Sequence, residues 1–355
     1  MFTSRECKGV MLYYADRRRQ QCPSSAPTLL KTSRDATLFQ GEDAPEQSPD
    51  SALALPGNLF AHLSQTIPPR ILSRESFILG RSASNTAHGK ARQQNDGGSV
   101  MEYPDFTLTG QVALVTAAAR GLGRAISLAL AHAGADVALG LRDVNADSGL
   151  AAEIRKMDRK ALPLQMDMRS MQQISSAVDQ AAKHFGRIDI LVNNAGIAPE
   201  NPAENVREQD FDETLAINLK GTFFASQAVG RLMIRQKCGK IINMGSQAGF
   251  IALPTESIYC MTKAGIAHLT KCLAVEWGKY GITVNAVAPT FIRTPGTESA
   301  LADPAFLADT VERIAALHRI GEPMEVAGAV VFLASPAASL ITGETILIDG
   351  GWTAR

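Results

Sequence analysis

The chain has 355 residues, a formal net charge of zero at pH 7 and 45% apolar residues. That length holds one large α/β domain or two ordinary ones. Zero net charge argues against a dedicated nucleic-acid binder, and no apolar run is long enough to span a bilayer. The five cysteines, Cys7, Cys22, Cys238, Cys260 and Cys272, have no metal-type spacing and read as reduced thiols of a cytoplasmic protein without a metal site.

Residues 1–104 are rich in Ser, Pro, Gln and Arg, with only short apolar patches such as Leu59-Phe60 and Phe77-Ile78-Leu79. Such a composition buries too little apolar surface to offset the entropy of ordering, so a disordered, low-complexity extension is expected. The start lacks the apolar core of a secretory signal. Arg17-Arg18-Arg19 hints at a transit peptide, but Glu6 and Asp16 share the stretch; Glu42, Asp43, Glu46 and Asp50 speak against a basic arm. Met101 stands just before the patterned chain and is a candidate native start.

From Val112 the pattern changes, and residues 105–355 read as one domain. Val112 to Thr116 is a short apolar run, as in a buried parallel strand. A glycine turn, Ala117-Ala118-Ala119-Arg120-Gly121-Leu122-Gly123, leads into a helix from Arg124 to His132, and Val137 to Leu141 is a second strand. Glycines in such a βαβ turn let the backbone approach a pyrophosphate at the helix N-terminus. The alternation continues. Helices are predicted over 146–157, 170–185, 208–236, 259–280 and 324–334. Strands are predicted over 161–166, 188–192, 240–244, 283–288 and 345–349. Strands alternating with helices predict a doubly wound parallel α/β sheet, and right-handed crossovers place the strand ends along one edge.

Ser246 ends the strand 240–244, and Tyr259 and Lys263 stand four apart on the next helix, hence on one face. A phenol with its ordinary pKa of about 10 is a poor base at neutral pH. A neighbouring ammonium lowers it, which suits proton exchange with an alcohol. On its own, Tyr-x-x-x-Lys is often an ordinary surface helix pair. Its position relative to the glycine turn raises its weight. Cys260 beside Tyr259 reads as a small packing residue.

In these residues the sequence resembles the short-chain dehydrogenase/reductase family, from about Phe106 to the C-terminus. Thr116 to Gly123 resembles its glycine-rich turn. Asn193-Asn194-Ala195-Gly196 matches the segment that stabilises the sheet and faces the adenosine. Asp167, followed by Met168, matches the acidic residue at the adenine. Asn285 to Pro289 matches the segment below the nicotinamide. The resemblance implies a Rossmann fold and a catalytic set of Asn218, Ser246, Tyr259 and Lys263. Asn218 would position a water, Ser246 would hold the substrate oxygen, and Lys263 would bridge the ribose hydroxyls. It implies cofactor contacts at Thr116, Ala117, Arg120, Gly121, Leu122, Gly123, Arg142, Asp167, Met168, Asn194, Ala195, Gly196, Tyr259, Lys263, Pro289, Thr290, Ile292 and Thr294. Substrate contacts fall to Ser246, Gln247, Tyr259 and Arg293. Two positions depart from the pattern: Ala117 and Thr290 stand where glycines are usual. Alanine is tolerated at 117 if its φ is negative.

These residues predict hydride transfer between NAD(P) and a secondary alcohol or ketone. The position that would carry an acidic residue for an NAD ribose is Leu141, followed by Arg142, whose guanidinium suits a 2′-phosphate. NADP is therefore preferred, with NAD as the alternative should Asp143 reach the ribose instead. The span 291–322 is predicted to be a polar loop over the site, carrying Arg293, Thr294, Glu298, Arg313, His318 and Arg319. The C-terminal half resembles the family's polyol and sugar-acid dehydrogenases. The alternatives are a 3-oxoacyl-carrier-protein reductase, with Arg235, Lys237 and Lys271 as candidate carrier contacts, and a nucleotide-binding pseudoenzyme or redox sensor. The resemblance also implies a homotetramer.

Overall fold

The computed structural model describes residues 103–146 and 149–354. The predicted extension lies outside the described residues except for its last two, and so does Met101.

The first apolar run forms strand β1, Val112–Thr116, buried along its whole length. Helix α1, Gly121–His132, returns the chain to β2, Asp136–Leu141. Next come α2, Leu150–Arg155, β3, Ala161–Gln165, and α3, Met171–Phe185. The Ser170 hydroxyl caps α3 by accepting from the Gln173 N–H, and Gly186 at φ 81 ends it in the left-handed region, where glycine is at ease. Strand β4, Ile190–Asn193, precedes α4, Glu208–Leu215, and α5, Thr222–Gln236. Then follow β5, Gly239–Met244, α6, Ser257–Trp277, and β6, Ile282–Pro289. Helices α7, Glu298–Leu301, α8, Pro304–Arg313, and α9, Pro323–Ala334, lead to β7, Thr345–Ile348.

The strands form one seven-stranded sheet in the order β3-β2-β1-β4-β5-β6-β7, and every neighbouring pair is parallel. Side chains alternate across a strand, so β1 serves both faces. Ala113 and Val115 pack with Ile126 and Leu130 of α1 and Val330 and Leu333 of α9. Leu114 joins the opposite layer with Ile174 and Val178 of α3, Val229 and Met233 of α5 and Leu273 of α6. This is the predicted doubly wound fold.

Three elements differ from expectation. The helix expected over 146–157 is shorter, because Gly149 at φ 80 breaks the approach to α2. The single helix expected over 208–236 is interrupted at Ala216–Gly221 by a π-helical turn that carries Asn218. A π-turn inside a helix commonly marks a functional site. The span 291–322 is no polar loop: it holds α7 and α8 over a separate apolar cluster of Leu301, Ile314, Ile320 and Trp352. Its start was readable in the sequence as Asp303-Pro304, a carboxylate N-cap before a first-position proline.

Candidate active site

Parallel winding brings the ends of β1, β4, β5 and β6 to one edge, and the reversal of strand order falls between β1 and β4. Thr116, at the end of β1, fastens that junction. Its Oγ1 accepts from the N–H groups of Asn194 (2.9 Å) and Ala195 (3.0 Å). The Asn194 amide donates back to the Thr116 carbonyl at 2.9 Å. Across the sheet, Asn193 donates to Asn243 at 2.8 Å and to Ser226 at 2.9 Å. Asn285 ties β6 to the segment before β7 through Ile341 O and Glu344 N.

The expected catalytic residues converge beside this junction. Lys263, only 4% exposed, donates from Nζ to Met244 O at the end of β5, 2.7 Å away. The same ammonium lies 5.4 Å from the centroid of the Tyr259 ring. Ser246, two residues past β5, is buried; its Oγ accepts from Ala248 N at 3.1 Å, and it lies close enough to the Tyr259 phenol to lower its pKa. Asn218 is held from both sides: its Oδ1 accepts from Ile197 N and its Nδ2 donates to Ile197 O, each at 2.9 Å. The π-turn thus aims this amide across to the β4 loop. A Cβ at Gly196 would stand 3.5 Å from both Asn218 Oδ1 and Lys263 Nζ, which places the two side chains around one point.

The electrostatics differ from expectation. Burial pushes the half-buried Tyr259 phenol up to about 12, opposed by the Ser246 hydrogen bond and reinforced by Glu256 and Cys260. Burial likewise pushes the Lys263 ammonium down to about 8. The expected lowering of Tyr259 by Lys263 is therefore absent in the protein alone: burial dominates, and the ammonium is not among the groups that act on the phenol.

The residues present fit a dinucleotide. Arg120 occupies the N-cap position of α1 without a side-chain cap, so N–H groups of the first turn face the glycine turn. Gly121 has φ +55, and a Cβ at Gly123 would meet the Ala117 carbonyl oxygen at 2.3 Å. Both glycines are required there; Leu122 between them is half-buried. Ala117 has φ +53, so the condition for easy tolerance is not met: this alanine sits in the left-handed region. Thr294 packs against Gly121. Thr290 follows Pro289 at the end of β6, and its buried Oγ1 has no partner among the described residues, an acceptor and donor left for a bound group.

Other expected contacts fall differently. Leu141 is 1% exposed within the core, so it cannot face a ribose; Arg142 after it is exposed. Asp143 accepts from Asn145 N at 2.9 Å and is turned into its own loop. The Asp167 carboxylate is bound by the Arg169 guanidinium, which lowers its pKa. Met168 is buried against Gly221 of the π-turn. The Ile292 side chain is in the core, leaving only its backbone for a ligand. Arg293 is half-exposed with Nε 3.7 Å from Glu322. Gln247 is 1% exposed, and its Oε1 has no partner among the described residues.

This fold, with Ser, Tyr and Lys around the edge of a parallel sheet beside a glycine turn, defines the short-chain dehydrogenases/reductases, and the chain belongs to that family. Residues 116–353 match the family model described as Enoyl-(Acyl carrier protein) reductase. The chain is 43% identical over 253 residues to a D-threitol dehydrogenase of Mycolicibacterium smegmatis, covering 71% of this chain and 96% of that protein. It is 42% identical over 252 residues to an NAD-dependent glycerol dehydrogenase of Listeria innocua, covering 71% and 97%. Among solved structures it is similar to a gluconate 5-dehydrogenase from Burkholderia cenocepacia in complex with NADP and tartrate, at TM-score 0.69 and 35% identity, covering 71% of this chain and 98% of that one. The protein is an NAD(P)-dependent oxidoreductase acting on CH–OH groups.

Proposed function

We propose that the protein transfers hydride between NADP and a secondary alcohol or ketone of a polyol, sugar or sugar acid. The observation that carries this reading is the convergence of Ser246, Tyr259, Lys263 and the π-turn Asn218 beside the glycine turn. Thr116, the turn from Ala117 to Gly123, Asn194 to Gly196, Asp167 and Met168, and Pro289 to Thr294 would hold the dinucleotide. When bound, the nicotinamide supplies the two-electron partner of the carbinol carbon.

In oxidation, Tyr259 takes the proton from the substrate hydroxyl, and in reduction it returns it. Ser246 hydrogen bonds the same oxygen and fixes its distance from the phenol. Lys263, anchored on Met244 O, keeps a positive charge beside the tyrosine ring. Asn218 is locked on the β4 loop, where it can hold the water that passes the proton to solvent. A phenol pushed up to about 12 is not a base at neutral pH. Its activation awaits the positive charge of the oxidised cofactor in a site already dry.

NADP is favoured over NAD by the exposed Arg142 and by Asp143 being spent on its own loop. A guanidinium there suits a 2′-phosphate. Carrier-protein reduction is less favoured. Arg235 and Lys237 lie at the C-terminal end of α5, just before β5 begins, and so at the sheet edge opposite Ser246; Lys271 is three turns along α6 from Tyr259. Exposed apolar side chains on α4, α5, α6 and β7, including Phe211, Phe223, Met261, Val275 and Leu347, support a homotetramer. No helix among the described residues is long and apolar enough to cross a membrane, and we place the enzyme in the cytoplasm. The test is turnover of purified protein with polyols, sugar acids and β-ketoacyl thioesters and both cofactors. Activity confined to thioesters would overturn the substrate class, and inactivity with all of them would favour a pseudoenzyme.

A further inference from the structure

Glu256 takes no part in the mechanism above, yet it stands one turn before Tyr259, at the N-cap position of α6. Residues three apart share a helix face. An N-cap carboxylate ordinarily accepts from the first-turn N–H groups, but the Glu256 side chain makes no capping bond. Its charge acts on the Tyr259 phenol and on Glu200, which lies in the loop after β4. That loop is pinned to the residue before Glu256 by a bond from Asn201 N to Thr255 O, 2.8 Å long. Thr255 is itself held at φ +65, an outlier for a β-branched residue. The turn therefore fixes the position of Glu256 instead of letting it relax toward solvent. Neither Glu256 nor Glu200 has a basic partner or a side-chain hydrogen bond among the described residues.

An independent feature of the same site is also an acceptor. Gln247, directly after Ser246, is 1% exposed with an unpartnered Oε1. A buried acceptor without a donor is costly unless a ligand or water supplies one. Glu256 and Glu200 thus bring negative charge beside Tyr259, and Gln247 after Ser246 adds an amide whose oxygen is unpartnered among the described residues. Hydroxyl groups are donors that satisfy such acceptors, whereas a substrate carboxylate has no proton to give and meets like charge.

From this juxtaposition we infer that Glu256, with Glu200 beside it, is a specificity-determining residue that selects neutral polyols and turns away carboxylated substrates. Its carboxylate accepts from a hydroxyl near the reacting carbinol. This inference rests on the proposed roles of Ser246 and Tyr259 and narrows the substrate class to uncharged polyols. It assigns the discrimination to a negative group built against the wrong substrate as well as to attraction of the right one.

The test compares a four-carbon polyol with the aldonate of the same chain length, using the full chain and NAD(P) at pH 8. That pH is above the value of about 7 to which burial and Glu200 raise Glu256. The wild type is expected to favour the polyol by at least about tenfold in kcat/KM, one charge-assisted contact's worth. Glu256→Gln is expected to lower that ratio by about tenfold or more, while cofactor Kd stays unchanged. It is also expected to lower the apparent pKa of the tyrosine in the pH profile, which loss of structure alone would not do. Glu200→Gln, at an exposed position, is expected to lower the ratio in the same direction and serves if Glu256→Gln fails to fold. An active wild type that prefers the aldonate, or a ratio unmoved in both variants, overturns the inference alone. A wild type inert to both substrates but binding cofactor overturns the proposed function and the inference with it.

Discussion

Ala117 is one of the places where the sequence strains its own backbone. It begins the turn between β1 and α1 with φ +53 and an exposed side chain, so its methyl adds strain without adding core. The left-handed conformation costs a residue with a Cβ roughly 1–2 kcal/mol. Replacing alanine by glycine removes that cost but returns about 0.4–1 kcal/mol of freedom to the unfolded chain. Ala117→Gly should therefore stabilise the protein by ~0.5–1 kcal/mol, or ~1–4 °C in Tm for a domain of this size. Thermal unfolding without cofactor measures this directly, and titration with NADPH should give an equal or tighter Kd, because the group nearest the expected pyrophosphate has become smaller. Two controls fix the sign. Gly121→Ala, at φ +55, is the reverse exchange and should lose a similar ~0.5–1 kcal/mol. Gly123→Ala should lose more and weaken cofactor binding, since its Cβ would meet Ala117 O at 2.3 Å and Asn194 Nδ2 at 2.6 Å. A fall in Tm for Ala117→Gly would refute the reasoning and show the turn to be relaxed with its methyl.

Tyr259→Phe should lower kcat/KM by roughly 10²–10⁴-fold with cofactor Kd unchanged; normal turnover would remove the tyrosine from the mechanism. Lys263→Met should abolish activity yet raise Tm near pH 7. The lysine's folded value of about 8 lies below its ordinary 10.5. The unfolded chain therefore binds more protons between those values, and stability rises with pH across that window. Below it, the buried ammonium costs roughly 3 kcal/mol, offset by about 1.5–3 kcal/mol for the charge-assisted bond to Met244 O, so the expected rise is small. A lower Tm for Lys263→Met at pH 7 would show the lysine to be stabilising. Arg142→Leu should weaken NADP use by about ten- to hundredfold and barely touch NAD; a wild type that already prefers NAD tenfold would sink the assignment.

The sheet was legible because buried parallel strands are short apolar runs. All seven predicted strands exist, and the motifs at their ends meet at one edge as right-handed winding requires. The convergence of the proposed catalytic residues was legible for a similar reason: Tyr259 and Lys263 are neighbours on one helix, and Ser246 follows a strand. What was not legible is three-dimensional. The pKa values of Tyr259 and Lys263 depend on how dry the site is, and helix spacing says nothing about that. The φ of Ala117 belongs to the turn and not to the residue, so composition alone suggested easy tolerance. Leu141 was aligned to the ribose by position along the chain, but its side chain is in the core. The π-turn at Asn218 was not read from the apolar pattern, although one extra residue moves that pattern by about 100° around the helix.

The covering segment changes where substrate recognition must be sought. Arg293 was the cation of this segment expected to meet the substrate, but it and the two other arginines have acidic partners inside the segment or at its base. Arg313 pairs with Asp309, Arg319 with Glu325, and Arg293 faces Glu322. What the segment buries is apolar: Phe291 stacks on Trp352 with centroids 5.9 Å apart, and Phe306 meets Phe291 edge-on at 5.4 Å. Ile251 and Leu253, from the stretch between Ser246 and α6, pack against the same cluster. Such apolar packing keeps water from the stretch that follows Ser246. Among hydroxylated substrates the inferred choice falls to Gln247 after Ser246 and Glu256 before Tyr259. Enclosure and selection are thus divided between two segments, so a substitution such as Phe306→Ala should alter turnover with every substrate alike, whereas Glu256→Gln should alter which substrate is taken.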